Sequence, residues 1–162
     1  MYRGLVWLSL LGAIFWGAIT PAWADAPSPT FRYPSLFPPA PTVGQPARRI
    51  EVDLSEQQLV AFEGATPVRA FATATGDWEH PTLVGDFSVQ WKRERIDLIG
   101  PDWYYHDVPS VMMFATPFYI HAAPWRPEFG ARTSHGCVTL SEPDAAWLFE
   151  WSVVGTPIHI GW

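Results

Sequence analysis

Ser134-His135-Gly136-Cys137-Val138 holds the only cysteine of this 162-residue chain, set between a glycine and a β-branched residue. A thiol becomes a nucleophile when a base takes its proton and backbone donors hold the oxyanion that its attack creates. His121, His135 and the amides of Gly136 and Cys137 are the groups that can supply both, and the chemistry would be acyl transfer through a thioester. Gly136, lacking Cβ, allows close approach of a substrate and a φ that other residues avoid. Two other readings compete. An unpaired cysteine often packs as a small core hydrophobe. His121, His135 and Cys137 are also competent zinc ligands, although no fourth ligand stands at a helpful spacing.

Aromatic and acidic residues surround these positions in sequence. Trp103, Tyr104, Tyr105 and Trp125 could hold a sugar or peptide by stacking, or could simply cover the edge of the core. Asp97, Asp102 and Asp107 could attract an amine, and a solvated loop would produce the same pattern. His80, His106 and His159 are read as structural or solvent-facing.

The elements that must position these residues are mainly strands. Ile50, Val52 and Leu54 alternate with polar residues, Leu59, Val60 and Phe62 follow across a polar break, and Gly64-Ala65-Thr66-Pro67 turns the chain into residues 68–75. This pattern predicts a three-stranded meander stopping at Gly76. Further strands are expected over residues 86–92, 111–114, 118–121 and 158–160, with residues 93–110 a long, polar, functional loop. One helix is predicted: Ser141 caps it, Pro143 and Asp144 suit its first turn, residues 145–154 continue it and Gly155 ends it. Trp147 and Trp151, at i and i+4, share its core face. The expected fold is mostly β with one C-terminal helix and no internal repeat.

The N-terminal region reads differently. Arg3 precedes an uncharged apolar run over residues 4–19, and Ala22-Trp23-Ala24 offers small residues where a signal peptidase cleaves. Residues 1–24 are therefore expected to be a signal peptide, because the run is shorter than the roughly 20 residues of a spanning helix. The mature protein is expected outside the cytoplasm, with no membrane span after cleavage. A lone cysteine in an exported chain has no intramolecular disulfide partner. Residues 25–47, with Pro27, Pro29, Pro34, Pro38, Pro39, Pro41 and Pro46, read as an extended linker or arm, and residues 48–162 as one domain. Net charge is 10 − 16 = −6, and 9 − 16 = −7 once Arg3 is removed with the leader. An acidic chain without a basic stretch argues against nucleic acid and anionic lipid as partners. Amine-bearing ligands suit it better.

An ordered set of segments resembles the L,D-transpeptidase (YkuD-type) catalytic domain. The set comprises Ile50 to Ser55 with Gln58 to Phe62, Pro81-Thr82 with Gly85-Asp86-Phe87, Tyr119-Ile120-His121, Gly130, Ser134-His135-Gly136-Cys137, Asp144-Ala145, and Gly155-Thr156-Pro157-Ile158-His159-Ile160. The resemblance implies a β-sandwich or barrel acting on peptidoglycan stem peptides in the periplasm or cell-wall space, with no metal and no organic cofactor. It implies Cys137 as nucleophile and His121 as general base, oriented by the backbone of Ala122. The Gly136 and Cys137 amides and His135 would line the oxyanion and substrate side, and Ser134 would fix the turn. The chain departs from the family at Ala122, where Gly is usual, and at Thr139, where Arg or Asn is usual. Thr139 removes a long polar side chain from the substrate side, and Arg132 and Arg126 are the candidates to replace it. A transpeptidase, a carboxypeptidase of the same fold and an inactive peptidoglycan-binding module are all compatible with these residues.

Overall fold

The structure, a computed structural model, describes residues 47–101 and 103–162. The expected signal peptide and nearly all of the Pro-rich arm lie outside the described residues, as does Asp102. Eleven strands and one helix follow in order: β1 (Arg48–Asp53), β2 (Gln58–Glu63), β3 (Thr66–Ala72), β4 (Thr75–Gly76), β5 (Gly85–Ser88), β6 (Trp91–Ile99), β7 (Tyr104–Ala115), β8 (Phe118–Ala122), β9 (Arg132–Ser134), β10 (Val138–Leu140), α1 (Glu142–Trp151) and β11 (Pro157–Gly161). They form a five-stranded sheet in the order β3-β2-β1-β11-β5, a four-stranded sheet in the order β10-β8-β7-β6, and a β4-β9 ribbon. Among the described residues no helix is long and apolar enough to cross a membrane.

Period-two alternation sends one face of each sheet into a shared core. Ile50, Val52, Leu59, Ala61, Ile158 and Ile160 come from the first sheet, and Met112, Phe114, Ile120, Val138 and Leu140 from the second. The helix adds Ala145, Leu148 and Trp151. Ser141 caps it as expected, its hydroxyl accepting from the Asp144 amide at 3.4 Å. Its end differs. The helix stops at Trp151 rather than running to residue 154, because Ser152 turns extended at ψ 159°. No basic residue sits in its last turn, so cations from the sheets meet its terminal carbonyls. Arg48 donates to Trp151 O at 2.6 Å, and Lys92 Nζ donates to Phe149 O and to Ser152 O.

Three other expectations are corrected. Residues 93–110 are no loop: β6 and β7 form a long antiparallel hairpin whose register shifts between Ile96 and Leu98. Its outer part has little core to face, so Arg93, Glu94, Arg95 and His106 are exposed and the apolar alternation that marks a strand is missing. Leu98, Val108 and Val111 make a small cluster of their own beneath Trp91, Ile96, Trp103 and Tyr105. The strand expected over residues 86–92 is two strands, because Val89 donates to Thr156 O while Gln90 donates to Met113 O, so the chain changes sheet there. The strand expected over residues 68–75 also breaks. Thr73 donates to Gln57 O and Ala74 to Thr139 O, which separates β3 from β4.

Candidate functional site

Two parallel strands bring the chemistry together. β8 and β10 pair with Ile120 opposite Val138 and His121 opposite Thr139, which places His121 diagonally across from Cys137 at the entrance of β10. Both line a cleft of about 320 Å³, counting its open mouth, together with Ser134, His135 and Thr139. The β6–β7 hairpin roofs it with Leu98, Trp103 and Tyr105, and the segment after β8 adds Trp125 and Arg126.

The turn carrying Cys137 is braced from both sides. Ser134 Oγ donates to Cys137 O at 2.6 Å and accepts from the Gly136 amide at 3.2 Å. Thr82 Oγ1 donates to Gly136 O at 2.8 Å and accepts from the Gly76 amide, also at 2.8 Å. Gly136 has φ +105°, and a Cβ there would stand 2.7 Å from the Phe118 ring, so both conformation and space require glycine.

His121 Nδ1 lies 2.7 Å from Ala122 O. A carbonyl only accepts, so Nδ1 carries the hydrogen and Nε2 is left basic. Burial pushes this imidazole down to about 4; the Ala122 bond works against that, and the charge of Arg126 adds to it. Burial likewise pushes the Cys137 thiol up to about 11, opposed by a hydrogen bond from the Tyr119 backbone. At neutral pH the site therefore holds a thiol and a neutral imidazole, not an ion pair.

The remaining residues named from sequence are distributed unevenly. His135 is exposed at the mouth, stacked on Trp103 at 5.3 Å and meeting the His80 ring edge-on at 5.1 Å. Trp125 stacks on Tyr105 at 4.1 Å with 6° between their planes. Thr139 reaches the cleft wall, but its hydroxyl is committed to Ala74 O at 2.9 Å. Arg132 is not part of the cleft. Its Nε donates to Gly76 O at 2.9 Å, its guanidinium lies over Trp78 and Trp162, and its Nη1 is buried without a partner among the described residues. Asp97 accepts from Tyr104 OH, His106 Nδ1 and the Asp107 amide, and Asp107 pairs with Arg95, so both carboxylates are occupied in the hairpin. Sequence reasoning missed Thr82 and the backbone of Tyr119. Thr82 acts through hydrogen bonds to backbone groups of Gly76 and Gly136, the second of them 54 residues away, and a backbone amide leaves no residue-type signal. Among the described residues no cluster of His, Cys, Asp or Glu is arranged to hold a metal ion.

The fold and cleft define a mostly β domain built around a buried Cys–His pair. The L,D-transpeptidase catalytic domain model (YkuD) matches residues 47–160, and the chain belongs to that family. It is 34% identical over 94 residues to the probable L,D-transpeptidase 3 of Mycobacterium tuberculosis, covering 51% of this chain and 35% of the relative. It is 30% identical over 119 residues to L,D-transpeptidase 1 of the same organism, covering 66% of this chain and 47% of the relative. The chain thus spans less than half the length of these curated relatives. A crystal structure of an L,D-transpeptidase from Mycobacterium tuberculosis H37Rv shares the fold, with a TM-score of 0.68 at 24% identity over 72% of this chain and 58% of that one.

Proposed function

We propose that this chain is an exported peptidoglycan L,D-transpeptidase that uses Cys137 as nucleophile and His121 as general base. The observation that carries the reading is the Nδ1–H to Ala122 O bond, which leaves Nε2 as the free base in the cleft that Cys137 lines. Family membership supplies the substrate class: a stem tetrapeptide whose penultimate diamino-acid carbonyl is attacked.

The resting thiol and imidazole are both neutral, so a standing thiolate is disfavoured and proton transfer accompanies attack. Cys137 Sγ bonds to the carbonyl carbon as its proton passes to His121 Nε2. The Cys137 amide is the oxyanion donor at hand; the Gly136 amide, already shared at 3.2 Å with Ser134, is the weaker partner. Collapse breaks the C–N bond, D-alanine leaves with the proton from His121, and a thioester remains. An acceptor amine then attacks the thioester, gives its proton to His121, and releases Cys137, which recovers its proton. Trp103, Tyr105 and Trp125 wall the cleft with apolar surface, which favours an amine over water in that second step. No metal or organic cofactor enters the cycle.

Purified protein and its Cys137→Ala variant, incubated with disaccharide-tetrapeptide, test this by product mass. Release of D-alanine with a cross-linked dimer, both dependent on Cys137, is expected. Tripeptide alone would make the protein a carboxypeptidase. No Cys137-dependent product from folded protein would leave a peptidoglycan-binding module.

A further inference from the structure

Among the described residues, Arg126 is the one arginine or lysine lining the cleft. It lies four residues beyond the end of β8, its amide donating to Ala123 O at 3.0 Å in the turn that leaves the strand carrying His121. Its terminal nitrogens donate to Thr133 Oγ1 and Thr133 O, both neutral acceptors. Its Nε is buried without a partner among the described residues. Among the described residues no carboxylate pairs with it, nor with Arg93 or Arg132, whereas Arg48, Arg49, Arg69 and Arg95 each have one. Arg126 as a whole is half-buried, but a single Nε–H shut off from solvent with no acceptor is costly, and the cost falls when a charged acceptor arrives.

We propose that Arg126 anchors the free C-terminal carboxylate of the acyl donor, the carboxylate carried by the residue that leaves. This rests on the transpeptidase reading and adds the determinant of donor recognition. The leaving nitrogen must reach His121 Nε2 to collect its proton, and the carboxylate lies one Cα beyond that nitrogen. The cation required there must sit close to His121, and Arg126 is near enough for its charge to act on the imidazole. The other candidates are placed less well: the Thr139 hydroxyl donates to Ala74 O, and Arg132, although its Nη1 also lacks a partner among the described residues, does not line the cleft. Burial is the main cause of the weak basicity of His121, and an arriving carboxylate would offset only the smaller contribution of the Arg126 charge. Arginine suits the task because its planar fork accepts a carboxylate through two parallel hydrogen bonds.

The test compares two tetrapeptide donors, one ending in D-alanine and one in D-alaninamide, with the wild type, Arg126→Gln and Arg126→Lys. Binding is measured as quenching of tryptophan fluorescence in the Cys137→Ala background, and turnover with Cys137 present. Loss of a charge-assisted contact predicts that the wild type prefers the acid by roughly 10- to 100-fold in both readouts. Arg126→Gln should bind acid and amide within about 3-fold of each other, and Arg126→Lys should retain part of the preference. A folded Arg126→Gln variant that still prefers the acid as strongly as the wild type overturns the proposal. So does a wild type that does not discriminate. A role limited to bracing Thr133 would weaken both donors equally and leave the ratio unmoved. Because the binding readout needs no chemistry, absent turnover would count against the enzyme reading alone.

Discussion

At the scale of residues, the site is a pair of neutral groups kept neutral by burial. His121 titrates at about 4 in the folded chain and near 6.5 unfolded, so the unfolded state binds more protons between those values. Stability is then full above pH 6.5 and declines as pH falls toward 4, by on the order of 3 kcal/mol from this group. Urea unfolding across that range should show the decline, and His121→Asn should flatten it. Cys137, pushed up to about 11, should react slowly with iodoacetamide at pH 7 and progressively faster as pH rises past 9. A fast reaction at pH 7, matching a low-pKa thiolate, would contradict a neutral resting pair. Cys137 and His121 were legible as candidates because sulfur and imidazole are rare and chemically distinctive. The commitment of Thr139 to Ala74 and the turning away of Arg132 were not, since both depend on partners distant in the chain.

At the scale of elements, the turn that carries Cys137 depends on a threonine far from it in sequence. Replacing Thr82 with Val leaves the Gly76 amide and the Gly136 carbonyl unpaired in a buried place. The expected cost is about 1–3 kcal/mol, read as a lower urea midpoint, with acylation slowed beyond what the lost stability explains. Gly136→Ala meets the Phe118 ring and a positive φ together and should fold poorly or lose activity. The inner strands and the capped helix could be read from alternation and from Ser141, because burial on one face imposes that pattern. The β6–β7 hairpin could not, since much of it is exposed and it bulges, with Asp107 and Ser110 at positive φ.

At the scale of the molecule, the last strand holds the first sheet together. β11 lies between β1 and β5, pairing Ile50 with Ile158 in parallel and Ile158 with Phe87 in antiparallel register. Removing residues 157–162 would strip Ile158 and Ile160 from the core and split that sheet, so the truncated chain should show neither a cooperative unfolding transition nor thiol acylation. Parallel pairing of β1 with β11 was not legible in sequence, because the contact spans nearly the whole domain and no local signal encodes it. The central claim, that Cys137 carries an acyl group, is tested most directly by intact mass spectrometry of the protein mixed with stem tetrapeptide. The account predicts an adduct equal to the tetrapeptide minus D-alanine, absent in Cys137→Ala. Its absence from folded, thiol-intact wild type that binds the peptide, or its persistence in Cys137→Ala, would contradict it.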